Sequence, residues 1–252
     1  NSRIKRLVQL NQKSKLRRTE DVFLAEGVKM FLEAPREQLQ EVYVSESFLE
    51  KCSCREHLEE VGYEVVSDSV FSKISDTCTP QGGLCVLKQF HYNIEEMLRD
   101  KAPLFLLLEN IQDPGNLGTM LRTGEGAGVS GIIMSRDTVD LYNPKVIRST
   151  MGSIYRVPFY YADDFAAAVH QVQQAGVSVY AAHLRGKNSY ACQDYTKGTA
   201  FLIGNEGNGL REETAELADC YIRIPMEGKV ESLNAAVASS ILMYEAHRQR
   251  AI

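Results

Sequence analysis

The sequence predicts an α/β protein built as two domains, a small one followed by a larger one. Three observations predict it. Short apolar runs of strand length alternate with helix-like stretches along the chain. The alternation is interrupted at residues 91–102 by a polar, charged segment that reads as a linker. In the second half, three loops dense in Gly, Asn and charge follow strand candidates, and that is where open α/β sheets bind ligands. The expected boundaries are residues 1–92, a linker at 93–102, and a second domain at 103–252.

The elements follow in order. Residues 1–18 hold Arg3, Lys5, Arg6, Lys13, Lys15, Arg17 and Arg18 and no acid, a local charge of +7 in a chain of net charge −5. Ile4, Leu7, Val8 and Leu10 have rough helical spacing, so a basic amphipathic helix and then a basic turn are expected. Such a segment is either a solvated helix face or an arm that contacts phosphates. Strands are expected at 22–25, 41–44, 63–66 and 84–88, the last after the turn Pro80-Gln81-Gly82-Gly83. Helices are expected at 28–34, 46–60 and 69–75. The second half offers strands at 104–108, 131–134, 177–182, 200–203 and 221–224. Its helices are expected at 117–127, at 163–175 behind an Asp163 or Asp164 cap, and at 233–250 behind a Ser232 cap.

Composition removes several classes. In 252 residues, 44% are hydrophobic and 24% charged, which excludes a disordered chain and a collagen-like fibre. No apolar run approaches the roughly 20 residues of a membrane span. No signal peptide is visible, and a first residue Asn1 in place of Met suggests a trimmed start. The cysteines at 52, 54, 78, 85, 192 and 220 match no zinc spacing, so free thiols in a reducing cytoplasm and no metal are expected. A P-loop is missing. The run Gly124-Glu125-Gly126-Ala127-Gly128 is no dinucleotide fingerprint, because it falls late in its helix, away from the end that binds phosphate.

The three loops carry the chemistry. They are residues 109–122, 203–210 and 224–234. Asp113-Pro114-Gly115-Asn116-Leu117-Gly118 with Arg122, then Gly204-Asn205-Glu206-Gly207, then Ile224-Pro225-Met226 with Ser232-Leu233-Asn234 resemble the three motifs of the SpoU-type RNA ribose methyltransferases of the SPOUT superfamily. Order and spacing agree across about 130 residues. Phe23-Leu24-Ala25-Glu26-Gly27, behind the basic segment, resembles the family's accessory domain, which is related to small ribosomal RNA-binding proteins.

The resemblance implies a parallel sheet whose C-terminal part is threaded into a trefoil knot, an exception to the usual unknotted topology. It implies S-adenosylmethionine as cofactor, contacted by Gly204, Ile224 and Leu233, with Leu202 and Met226 walling in the adenine. It also implies a homodimer with its site at the subunit junction. The small residues Ala235, Ala236, Ala238, Ser239 and Ser240, beside Ile241, Leu242 and Tyr244, suit close helix packing there. The implied reaction moves a methyl group to a ribose 2′-oxygen of RNA, most favourably 23S ribosomal RNA. A tRNA methyltransferase and an RNA-binding assembly factor are the alternatives. Asn116, Arg122, Glu206, Ser232 and Asn234 are the expected polar machinery. In the family the arginine matching Arg122 acts on the 2′-hydroxyl. A guanidinium seldom yields its proton, so Arg122 is expected to bind the neighbouring phosphate and the developing alkoxide.

Overall fold

The first apolar strand of the second half, Leu-Phe-Leu-Leu-Leu, is fully buried along its whole length. A strand with no polar side has to be covered on both faces, the condition of a parallel sheet. The computed structural model describes residues 2–251 and meets that condition. Residues 1 and 252, which the expected domains include, lie outside the described residues. The chain forms two units.

The first unit comprises the chain up to Phe90 together with Asp140–Tyr155. Strands β1 (Val22–Glu26), β2 (Leu39–Ser45), β3 (Glu64–Val66) and β4 (Gly83–Lys88) form one sheet in the order β1-β4-β2-β3. β4 runs antiparallel to both its neighbours, and β3 runs parallel to β2. Leu7 and Leu10 of the first helix pack with Leu24, Tyr43, Phe71 and Val86 in the core. The apolar spacing of the first helix is therefore a core stripe.

This helix, Ser2–Gln12, is followed by a second, Ser14–Glu20, where the sequence reading expects a turn. The difference has a physical reason. Arg17 is 3% exposed and donates to the Leu10 carbonyl at 2.6 Å, the Asn11 carbonyl at 3.1 Å and Asp140 Oδ2 at 2.6 Å. A guanidinium buried between helix-end carbonyls and a carboxylate fixes the backbone that carries it. Arg17→Ala strands Asp140 and is expected to cost about 3 kcal/mol of stability. Lys15→Ala, on the exposed side, is expected to change it by less than about 0.5 kcal/mol; urea unfolding of the two variants reads both.

Glu26 is the other buried charge of this unit. Its carboxylate accepts from Ser75 Oγ at 2.7 Å, Gln81 N at 2.9 Å and Thr77 Oγ1 at 3.3 Å. It thereby pins the loop ahead of β4 to the end of β1. The expected helix 46–60 is split into Glu46–Lys51 and Arg55–Val61. Cys52 takes an extended backbone between them and ends the first piece.

The second unit comprises His91–Val139 and the chain from Arg156. Strands β5 (Leu104–Leu108), β6 (Gly131–Ser135), β7 (Phe159–Ala162), β8 (Ser178–Ala182), β9 (Asn188–Ser189), β10 (Thr199–Ile203) and β11 (Cys220–Arg223) make a seven-stranded sheet. Its order is β7-β6-β5-β10-β8-β11-β9, and every pairing is parallel. β10 lies between β5 and β8, so a late segment fills the middle of the sheet.

Two boundaries of the sequence reading shift. Ile94 and Met97, inside the expected linker, are buried in the core of this unit. Residues 140–155, expected within the second domain, pack with the first unit. Among the described residues all six cysteines are free thiols and no helix is long and apolar enough to cross a membrane.

Candidate active site

Parallel strands send all their C-terminal loops to one edge of a sheet. β5 and β10 are neighbours, so the loops after Leu108 and Ile203 meet directly. The helix Pro114–Ala127 begins here, three residues earlier than the sequence reading places it. Asp113 caps it, accepting the Asn116 amide at 2.8 Å, and Pro114 takes the first helical position. The Asp-Pro pair is thus a helix start. Asn205 ties the second loop to the first, donating from Nδ2 to the Asn110 carbonyl at 2.8 Å. Its Oδ1 accepts the amides of Gly207 and Asn208 at 3.0 and 3.1 Å.

Glu206 reaches across the same junction. Its carboxylate accepts the amides of Gln112 and Asp113 at 3.0 and 2.9 Å and Asn116 Nδ2 at 3.1 Å. Asn116 Oδ1 in turn accepts Asn234 Nδ2 at 2.9 Å. Asn234 Oδ1 accepts the amides of Ala236 and Val237 at 2.8 and 3.2 Å, so Asn234 caps the last helix, Ala235–Arg250. The expected Ser232 cap is corrected by two residues. Ser232 lines a cleft instead and makes no hydrogen bond within the described residues. One continuous relay, Glu206–Asn116–Asn234, thus joins all three loops.

Partial burial pushes the Glu206 carboxyl up, but the amides of Asp113 and Gln112 and the Asn116 side chain outweigh it and hold the group below its ordinary value. A depressed carboxyl stabilises the fold in full above its unfolded pKa and loses that contribution as pH falls through the folded one. The stability gap between the parent and Glu206→Gln is therefore expected to stay constant from pH 8 to 5 and to close below roughly pH 4. Urea midpoints from pH 8 to 3 measure it; a gap that does not shrink as pH falls below the ordinary carboxyl value rules out a carboxylate anchor.

Beside the relay lies a cleft of about 260 Å³. Gly204, Ile224, Met226 and Leu233 line it. A Cβ on Gly204 would lie 2.2 Å from the Gly209 carbonyl carbon and the Leu210 nitrogen, so only glycine allows that backbone approach. Leu202 does not line the cleft. It is fully buried and packs with Leu107 and Val179 in the core, because side chains alternate along β10. His183 and Leu184, just past β8, line the cleft and escaped the sequence reading; their place after a parallel strand was the available signal.

Arg122 stands apart from the relay. It is exposed, lines no part of the cleft and makes no hydrogen bond or ion pair among the described residues. Six helical positions separate it from Asn116, about 9 Å along the axis and on another face. On the last helix, Leu242 turns inward and is fully buried, while Val237 and Tyr244 are about half exposed.

The expected basic arm is divided. Arg3 pairs with Glu64, Arg6 sits 2.6 Å from Glu20 and 2.7 Å from Glu41, and Arg17 is buried. Lys5, Lys13, Lys15 and Arg18 are exposed and make no ion pair among the described residues. No group of His, Cys, Asp and Glu among the described residues is placed to hold a metal.

An all-parallel sheet whose strand ends gather a polar relay beside a glycine-floored cleft places the protein in a defined class. The chain belongs to the SpoU rRNA Methylase family, which matches residues 103–244. Residues 1–85 match the MRM3-like substrate binding domain. The 23S rRNA (guanosine(2553)-2′-O)-methyltransferase RlmP of Bacillus subtilis is 35% identical over 182 residues, 71% of this chain and 70% of that protein. The AdoMet-bound rRNA methyltransferase of Sinorhizobium meliloti superposes with a TM-score of 0.84 at 30% identity, covering 98% of this chain and 95% of that one. The SpoU methyltransferase AviRb of Streptomyces viridochromogenes shares the fold, with a TM-score of 0.89 at 23% identity over 100% and 98% of the two chains.

Proposed function

We propose that this chain is an S-adenosylmethionine-dependent methyltransferase acting on the ribose 2′-hydroxyl of RNA, with 23S ribosomal RNA as its substrate. The relay Glu206–Asn116–Asn234, which gathers three separate loops beside one cleft, carries this reading. The Bacillus relative is named for this chemistry on 23S rRNA, and the Sinorhizobium relative was solved with the cofactor.

The residues fit the cofactor. The cleft offers apolar walls at Ile224, Met226 and Leu233 and backbone polar groups along the loop at Gly204, as an adenine edge requires. When bound, S-adenosylmethionine supplies a methyl group on a positively charged sulfur. The chain has to present the ribose oxygen in line with that group and ease the loss of its proton. Ser232, unbonded at the cleft, is available to the hydroxyl. Asn116 and Asn234 hold each other's amide orientation and so fix the ribose side of the site. Glu206, saturated by amides, organises the loops and takes no proton. Arg122 binds the adjacent phosphate and stabilises the developing alkoxide, and the phosphate or solvent accepts the proton.

The free position of Arg122 supports a site completed at the junction of a homodimer, and the exposed Val237 and Tyr244 supply apolar area for one. The central placement of β10 supports the trefoil knot of the family resemblance. Lys5, Lys13, Lys15 and Arg18 form the phosphate-contacting arm, and the protein works in the cytoplasm, where ribosomal RNA is made and modified. An assembly factor without methyl transfer has no use for Asn116, Arg122, Ser232 and Asn234 together. Mapping 2′-O-methyl groups in RNA from cells with and without the protein tests the proposal. One ribose of 23S rRNA is expected to lose its methyl group; a loss confined to tRNA moves the substrate to tRNA, and no loss anywhere removes the activity.

A further inference from the structure

The first unit contains a cavity of about 520 Å³ that the methyl-transfer chemistry does not use. Its size falls within the roughly 300–1,000 Å³ of small-ligand sites. Ser45, Ser47, Phe48, Lys51, Asp68 and Gln81 line it.

The cavity is held open by specific contacts. Gly82 takes φ +84°, and a Cβ there would lie 2.5 Å from Phe48 Cβ and 2.9 Å from Ser45 Oγ. A glycine at that position therefore lets Phe48 sit against the backbone as one wall. The Glu26 carboxylate, through Gln81 N at 2.9 Å and Ser75 Oγ at 2.7 Å, fixes the loop that forms the rim. Ser47 Oγ donates to Asp68 Oδ1 at 2.5 Å. The Ser47 and Ser45 hydroxyls hold the Asp68 carboxyl below its ordinary value, which leaves an ionised acceptor at the cavity.

An aromatic wall beside an ionised acceptor is a receptor for a planar group with N–H donors on its edge. Lys51 is exposed and makes no ion pair among the described residues, so an anion attached to that planar group has a counterpart. Asn11 of the first helix donates to the Ile74 carbonyl at 2.6 Å, which sets the helix carrying Lys5 against the helix Asp68–Ile74 that forms one wall. Lys73 on that wall helix is likewise exposed and without an ion pair among the described residues.

We propose that this cavity receives one unpaired nucleotide of the RNA substrate, its base stacked on Phe48 and bonded to Asp68, its phosphate on Lys51. Guanine is the favoured base, since it alone presents an imino and an amino donor side by side to a carboxylate. Extruded bases read on their edges and stacked on aromatic rings are the ordinary way proteins read single-stranded RNA. The inference rests on the RNA-methyltransferase reading and adds a second contact, in the first unit, that selects sequence.

The test uses the full chain and two oligoribonucleotides, a uridine octamer and the same octamer with one central guanosine, followed by fluorescence anisotropy. The guanosine octamer is expected to bind about tenfold more tightly. Asp68→Asn is expected to abolish that preference while leaving uridine-octamer affinity and S-adenosylmethionine binding intact. Ser72→Tyr, which fills the cavity from its wall helix, is expected to do the same. Equal affinity for the two octamers overturns the proposal, as does a preference that survives both variants; either result leaves the methyltransferase reading standing. A parent protein that binds neither octamer nor protein-free 23S rRNA overturns both.

Discussion

Arg122→Ala is expected to bind S-adenosylmethionine as the parent does and to transfer methyl groups at least about 100-fold more slowly, the loss typical when one transition-state donor is removed. The structure separates the two effects. Arg122 lines no part of the cleft, so cofactor affinity has no reason to fall. It bonds to nothing among the described residues, so its removal leaves no buried partner stranded. Calorimetry with the cofactor and single-turnover methylation of 23S rRNA give the two numbers. A variant with full turnover takes Arg122 out of the mechanism. A variant that loses cofactor binding as well makes the residue structural. Arg122→Lys keeps the charge but loses the planar fork, and is expected to recover only part of the rate.

Gly204→Ala tests the proposed cofactor wall, and its effect is expected to be comparably large. The new methyl group would lie 2.2 Å from two backbone atoms of Gly209 and Leu210 and 2.5 Å from the Gly209 carbonyl oxygen. No flexible side chain is there to yield, so the loop 204–210 has to move as a whole. That loop carries Glu206 and the bridge between Asn205 and Gly209, so its movement opens the cleft and breaks the relay together. Cofactor affinity is expected to fall at least about 100-fold, with a stability loss of about 1–3 kcal/mol from overpacking. Gly207→Ala is the control in the same loop. A Cβ there meets only Asn205 Oδ1 at 3.5 Å, an ordinary contact, and binding should survive. Equal behaviour of the two variants would mean that Gly204 is not a special position.

The sequence carried the strands well because β5, β6 and β10 are apolar apart from the terminal Ser135 and Thr199, and a short run bounded by turn residues has few other fates. It carried the loops through their residue types, and Asn116, Glu206 and Asn234 do converge. It missed what depends on partners distant in the chain. The helix around Arg17 owes its place to Asp140, 123 residues away. β7 was not expected, since Phe159-Tyr160-Tyr161-Ala162 follows no clean alternation. Leu202 was expected as a pocket wall from the family resemblance alone; its side chain packs with Leu107 and Val179 in the core. The cavity of the first unit has no motif at all, because its lining comes from four separate segments.

The central position of β10 has a consequence for how this protein is made. β5, β6 and β7 leave the ribosome first, and β5 then presents an unpaired edge to the cell until residues 199–203 have been synthesised. At about 5–20 residues per second, nascent chains carry that bare, wholly apolar border for several seconds. Biogenesis, more than the stability of the finished molecule, is where this architecture is vulnerable to aggregation. Slower elongation or loss of a nascent-chain chaperone should lower the yield of this protein before it affects neighbours whose sheets are completed in order.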